Sequence, residues 1–180
     1  MNILETDRLL LRTLKDSDYE ALCLILQDPE VMYAYEHAFS DEEVQAWLRR
    51  QQERYTRDGF GLWAVVLKEE GRMIGQCGLT MQDCDGRPAI EVGYLFRKAY
   101  WHRGYAAEAA IACRDYAFRL PGVTEVCSII RDTNRPSQAV ALRGGMTHRG
   151  TFVKHYCGVD MPHYVFVVDK LTRGQGDEEV

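Results

Sequence analysis

A chain of 180 residues with 46% hydrophobic content is long enough to close a core of its own and too apolar for a disordered polymer. Its formal charge of −5 argues against a broad electrostatic footprint for nucleic acid, and no window approaches the ~18 uninterrupted apolar residues of a membrane span. The start, Met1 to Arg8, carries Glu5 and Asp7 where a targeting leader would be basic and apolar, so a cytoplasmic protein is expected. Six cysteines without a C-x-x-C pair are expected to be reduced thiols, mostly buried.

Arg8 to Leu14 reads as a first strand, and Asp16 or Ser17 opens a helix with Tyr19, Leu22, Cys23 and Leu26 on one face, interrupted at Pro29. Ser40 followed by Glu43 is a capping box, from which Val44, Trp47, Leu48, Gln51 and Tyr55 carry a second helix to Gly59. Gly61 to Leu67 and Met73 to Thr80 form a hairpin across Glu69, Glu70 and Gly71. Asp85, Gly86, Arg87 and Pro88 read as the turn before a strand over Glu91 to Phe96. Glu125 to Ile130 is a strand and Asn134 to Arg143 a helix. Met146 to Tyr156 and His163 to Leu171 are final strands around a loop. Residues 1–172 are expected to form a single domain, with 173–180 a polar tail.

The junction Tyr94 to Ala109, Y-L-F-R-K-A-Y-W-H-R-G-Y-A-A-E-A, holds the most chemistry. A strand ends, a basic connector follows, and Gly104 opens an alanine-rich helix. The first N–H groups of a helix lack intrahelical acceptors and its dipole is positive there, so the junction is suited to an anion such as a phosphate. Taken alone, the glycine could equally serve tight helix packing. The alternation of elements predicts a mixed α/β sheet with helices on both faces.

Three stretches together resemble the GCN5-related N-acetyltransferases of the ribosomal-protein-alanine type. Glu5-Thr6-Asp7-Arg8-Leu9-Leu10-Leu11-Arg12 is similar to their opening strand, W-H-R-G-Y-A-A-E-A to their acetyl-CoA motif, and Asn134-Arg135-Pro136-Ser137 with Gly145-Met146 to the motif that follows. The resemblance implies a mostly antiparallel sheet of about seven strands flanked by about four helices. It also implies a donor, acetyl-CoA, with its pyrophosphate on backbone amides from Arg103 through Gly104, Tyr105, Ala106 and Ala107 to Glu108. The pantetheine arm would pair with backbone at Leu95, Phe96 and Arg97, and Asn134 would hydrogen-bond it. Asn134 is equally suited to cap a helix, and both roles are compatible.

Acetyl transfer needs a neutral amine, support for an oxyanion, and a proton for the departing thiolate. Relatives place a carboxylate base where Glu91 stands, although most strand glutamates are solvated charges. The tyrosine that many relatives use as acid is replaced by Ala141. Ser137 is therefore the first candidate for the thiol, with helix capping as its other role and Tyr156 and Tyr164 as backups. A backbone N–H near Phe96 could hold the oxyanion.

The resemblance implies a primary amine as the acceptor. An α-amine of pKa ~7.7 to 8.0 is roughly 10% neutral at pH 7, a lysine amine under ~0.1%, which favours a protein N-terminus or a low-pKa small amine. Val31 to Phe39, with Tyr33, Tyr35 and His37, and the loop from Tyr156 to His163 are expected to shape its site, unless those aromatics are simply core. His155, Cys157 and His163 lack a fourth ligand and the usual zinc spacing, so no metal is expected. A non-catalytic acyl-CoA sensor on the same fold is the alternative, and either a monomer or a homodimer fits.

Overall fold

The computed structural model describes residues 1–156 and 158–170, without the side chain of Tyr156. In chain order the elements are β1 (Asn2–Glu5), β2 (Leu9–Arg12), α1 (Tyr19–Leu26), α2 (Asp41–Arg57), β3 (Leu62–Leu67), β4 (Arg72–Cys84) and β5 (Arg87–Phe96). There follow α3 (Tyr105–Ala117), β6 (Glu125–Arg131), α4 (Arg135–Arg143), β7 (Thr147–Tyr156) and β8 (Val159–Asp169). The strands join in the order β1-β2-β3-β4-β5-β6-β8-β7. All neighbours run antiparallel except β5 and β6. The expected tail at 173–180, Cys157, and the last residue of the final expected strand, Leu171, lie outside the described residues.

Local chemistry explains the starts of two helices. The Ser40 hydroxyl accepts from the Glu43 amide at 3.3 Å while the Glu43 carboxylate accepts from the Ser40 amide at 2.8 Å, the reciprocal box expected at the start of α2. Asn134 Oδ1 accepts from the Ser137 amide at 3.2 Å and so caps α4.

The sheet has eight strands rather than about seven, because Asn2–Glu5 pairs with β2 across a turn at Thr6 to Arg8. Four residues with only Ile3 and Leu4 half-buried give little pattern to read. Strand β5 begins at Arg87, ahead of the expected Glu91, with Asp85 and Gly86 at positive φ in the turn. Pro88 is tolerated because its missing N–H belongs on the edge turned away from β4.

Helices cover both faces. Ala109, Cys113 and Ala117 of α3 pack on Trp63, Val65, Cys77, Leu79, Val92 and Phe96. Opposite, Leu22, Ile25 and Leu26 of α1 and Val44, Trp47 and Leu48 of α2 pack on Leu62, Ala64 and Met73. Alternation along β5 sends Val92, Tyr94 and Phe96 toward α3, and Glu91, Gly93 and Leu95 toward α1 and α2.

At Gly78, opposite Leu62 on β3, the two backbones approach closely. A Cβ there would overlap the Gly61 carbonyl oxygen and stand 2.9 Å from the Leu62 Cα. Gly78→Ala should therefore cost about 1–3 kcal/mol of stability, an overpacking penalty, and lower Tm by roughly 2–4 °C for each kcal/mol. Calorimetry checks this, and an unchanged Tm would mean that the approach is not a constraint.

Candidate active site

The site begins where two strands part. β5 and β6 meet as parallel neighbours at Glu91 and Cys127 and then diverge. Three side-chain contacts close the fork. Ser128 Oγ donates to the Val92 carbonyl at 3.0 Å, the Ile129 amide donates to Glu91 Oε1 at 3.2 Å, and Thr80 Oγ1 donates to Glu91 Oε2 at 3.2 Å. Past the fork, the Arg97 amide donates to Ile74 on the β4 side at 3.0 Å. The ladder alternates, so the amides of Tyr94 and Phe96 point into the gap that β6 has left. The Phe96 carbonyl on that edge accepts from the Trp101 indole at 2.9 Å.

A cleft of about 1110 Å³ opens on this gap. Gly104 caps α3 with φ 82°, a left-handed conformation that glycine adopts without strain. Gly104, Tyr105, Ala106 and Ala107 line the cleft, ahead of the first α-helical bond, from the Glu108 amide to the Gly104 carbonyl at 3.0 Å. Glu108 therefore leaves the expected amide cradle. Its carboxylate is held by Thr6 Oγ1 at 2.6 Å, by the Arg8 amide at 3.0 Å and by Arg8 Nε at 2.7 Å, and these contacts keep its pKa below the ordinary value despite burial. Arg97 and Arg103 are also absent from the lining. Their guanidinium groups lie 5.6 Å and 5.7 Å from the Tyr100 ring. Leu95, Phe96, Asn134 and Ser137 do line it. With its amide capped by Asn134, Ser137 has a hydroxyl that makes no hydrogen bond to the described residues, while its carbonyl accepts from the Tyr94 hydroxyl at 3.0 Å. Ala141, in the place of the missing tyrosine, is buried in the core.

Glu91 is half-buried at the fork. Burial pushes its carboxyl above the ordinary range, an effect that Lys154, the Ile129 amide, Thr80 and Arg54 offset only in part.

Tyr33 and Tyr35 line the opposite wall. His37 does not: its Nε2 pairs with Glu43 at 2.9 Å and its ring lies 5.4 Å from Phe39, so the capping residue of α2 has claimed it. The expected loop from Tyr156 to His163 is a hairpin, since β8 starts at Val159. His163 lines the cleft from within β8, its Nδ1 2.9 Å from the Met161 carbonyl, and burial lowers its pKa. The side chain of Tyr156 lies outside the described residues. Tyr164 packs 4.7 Å from His148 and is not part of the lining. His155 pairs with Asp160.

Sequence reading missed Trp47, Arg50 and Arg54, which line the cleft from one face of α2, and Lys154 of β7. Their spacing of three and four along α2 was the available signal.

Residues 8–147 match the family model of the acetyltransferase (GNAT) domain, and the chain belongs to that family of acetyltransferases. The protein YkkB of Bacillus subtilis (strain 168) is 34% identical over 152 residues, 84% of this chain and 88% of that one. The solved acetyltransferase (GNAT family) from Bacillus anthracis superposes with a TM-score of 0.79 at 24% identity, covering 94% of this chain and 98% of that one. RimL, a ribosomal L7/L12 alpha-N-protein acetyltransferase solved in complex with coenzyme A, gives a TM-score of 0.77 at 17% identity over 94% of this chain and 98% of its own. At those identities the structural likeness concerns the fold.

Folded protein holds the Glu91 proton more tightly than unfolded chain, so the stability this group contributes is full at low pH and is lost as pH rises through its ordinary value of 4.5 toward its raised one. Glu91→Gln escapes that loss. Its Tm relative to wild type should move upward between pH 4 and neutrality, whatever constant offset the lost carboxylate contacts impose. A Tm difference independent of pH would count against a desolvated carboxylate.

Proposed function

We propose that the protein transfers the acetyl group of acetyl-CoA to a primary amine by direct attack in a ternary complex, with Glu91 as the base. The observation that carries this reading is Glu91 at the fork of β5 and β6, at one end of a gap whose other end is the α3 cradle. Backbone amides of Gly104 to Ala107 suit the pyrophosphate, and the free edge of β5 suits the amide-bearing pantetheine arm as an added strand. Asn134 spends its carbonyl oxygen on the cap and keeps its amide group for that arm.

The amine nitrogen attacks the thioester carbonyl, forming the C–N bond, and charge gathers on the carbonyl oxygen. An amide of the β5 edge, at Tyr94 or Phe96, is placed to hold that charge without reorganisation. Glu91 takes the amine proton, directly or through water, and its raised pKa makes it a better base than an exposed glutamate. The C–S bond then breaks and the thiolate takes a proton, for which Ser137, which lines the cleft, is the candidate. A thiol of pKa ~8.5 leaves readily, so this last role is worth less. The reading favours an acceptor that is a protein N-terminus or a small amine with a low pKa, as the neutral fraction of the amine dictates.

Glu91→Gln should lower kcat/KM about 10²- to 10⁴-fold at neutral pH while acetyl-CoA still raises Tm, and Ser137→Ala should lose only a few-fold. Steady-state release of free CoA and thermal shift measure both. Unchanged turnover in Glu91→Gln removes Glu91 from the base role. Acetyl-CoA stabilisation without turnover on any amine would make the protein an acyl-CoA sensor, and no stabilisation at millimolar acetyl-CoA would overturn both readings.

A further inference from the structure

The acceptor end of the cleft is cationic in an acidic protein. Arg50 and Arg54 from α2 and Lys154 from β7 line the cleft, Arg54 and Lys154 near enough to Glu91 to act on its charge, and among the described residues none of the three makes an ion pair. Of the other cleft charges, Arg131 pairs with Glu36 and Glu30 with Lys98 at 2.6 Å, while exposed Arg143 of α4 makes no ion pair among the described residues. Glu91 is the remaining carboxylate of the lining, and it has no ion pair within 4 Å among the described residues.

The arrangement is built rather than incidental. Gln51 Oε1, itself fixed by the Leu62 amide at 3.1 Å, accepts from Arg54 Nη1 at 3.2 Å and orients a half-buried guanidinium. Arg50 lies one turn away on the same face, a like-charge spacing that isolated helices disfavour. Burial and the charges of Arg50 and Arg57 lower the Arg54 pKa, so this cation is held at a cost. The donor phosphates do not account for it. Strand β5 climbs roughly 16 Å from Glu91 to Phe96, and the amide cradle lies beyond Phe96, whereas Arg54 and Lys154 are close enough to act electrostatically on Glu91.

We propose that the acceptor is a primary amine bearing an anionic group, a carboxylate or phosphate, a few bonds from the nitrogen, and that Arg50, Arg54 and Lys154 hold that group beside Glu91. This rests on the acetyl-transfer reading. The same cations disfavour an ammonium and so raise the fraction of neutral nucleophile, and they repel polyamines and other polycations. An acidic N-terminal peptide and a small amino acid both present the required chemistry.

The test pairs each anionic amine with its neutral isostere, keeping acetyl-CoA saturating. One arm compares peptides with Asp or Glu at the first two positions with their Asn or Gln versions, and the other compares a free amino acid with its amide and with ethanolamine phosphate. Binding of each amine to the CoA-saturated protein is measured alongside by calorimetry. The anionic member should be favoured about 10- to 100-fold in at least one arm, the scale of one charge-assisted hydrogen bond, and the arm in which it appears identifies the source. Salt should erode the preference. Arg54→Gln and Lys154→Gln should raise the acceptor KM and flatten the preference while leaving the acetyl-CoA KM unchanged, and exposed Arg50→Gln serves if Arg54→Gln folds poorly. Equal use of neutral and anionic amines, or preference for a polyamine, overturns the anionic subsite and leaves acetyl transfer standing. Selective binding of the anionic amine without turnover upholds the subsite and overturns acetyl transfer. Neither turnover nor selective binding overturns both.

Discussion

The rest of the molecule depends on one departure from regular pairing, the parting of β5 from β6 after Glu91 and Cys127. A parting in mid-sheet leaves backbone donors and acceptors facing inward without a ladder partner, and buried orphans of that kind cost about 1–3 kcal/mol each. At the fork, side chains stand in for the ladder: the Ser128 hydroxyl serves the Val92 carbonyl and the Glu91 carboxylate serves the Ile129 amide. Further along, the Trp101 indole serves the Phe96 carbonyl. The amides of Tyr94 and Phe96 point into the gap without a ladder partner, the edge to which the proposed donor would add. Glu91 thus has a structural task that fixes both its oxygens, and desolvation at the same place raises the pKa of its carboxyl, which the proposed base role would use.

The cradle at α3 follows a related economy of charge. In the proposed reading its anion site is made of the backbone amides of Gly104 to Ala107, while the charged side chains nearby are engaged elsewhere, Glu108 by Arg8 and Thr6, Arg97 and Arg103 over Tyr100. Amides carry no rotamer entropy and no titration, so a site made from them is fixed when the helix forms. The tie between Glu108 and Arg8 has a second effect. It anchors the β1–β2 turn to the first turn of α3, and Arg8 also donates to the Arg103 carbonyl just ahead of Gly104.

What was legible in the sequence was local. The capping box of Ser40 and Glu43, the glycine that opens α3 and the Asn134 cap of α4 each involve partners within four residues, and each forms as the spacing predicts. Donor-side residues followed from such signals together with the family resemblance. Pairings chosen across the fold were not legible. Nothing near Glu108 announces Arg8, 100 residues away, and β1 exists only because β2 offers it an edge. His37 failed for a different reason: a local partner, Glu43, outcompeted the cleft for an imidazole whose pKa it raises. The start of β8 at Val159 turned an expected loop into a hairpin, and its register pairs the two final strands, expected to carry Lys154 and His163, so that both residues line the cleft.

Charge shows most plainly how composition and site can diverge. The net charge of −5 is a sum over a surface, and it suits a cationic partner. The part of the cleft around Glu91 has the opposite sign, because Arg50, Arg54 and Lys154 come from α2 and β7, which are brought to one cleft only in the folded chain. Each looks like an ordinary solvated charge on its own element. A reacting amine experiences the local field over a few ångströms, with bulk charges screened beyond a Debye length of about 8 Å at physiological salt. In the proposed reaction two demands would fall on the same few residues, a base that stays desolvated and an environment that discourages the ammonium form. Cations around this half-buried glutamate would meet the second demand while partly opposing the first, and the pKa of Glu91 is nonetheless raised, with desolvation the largest cause.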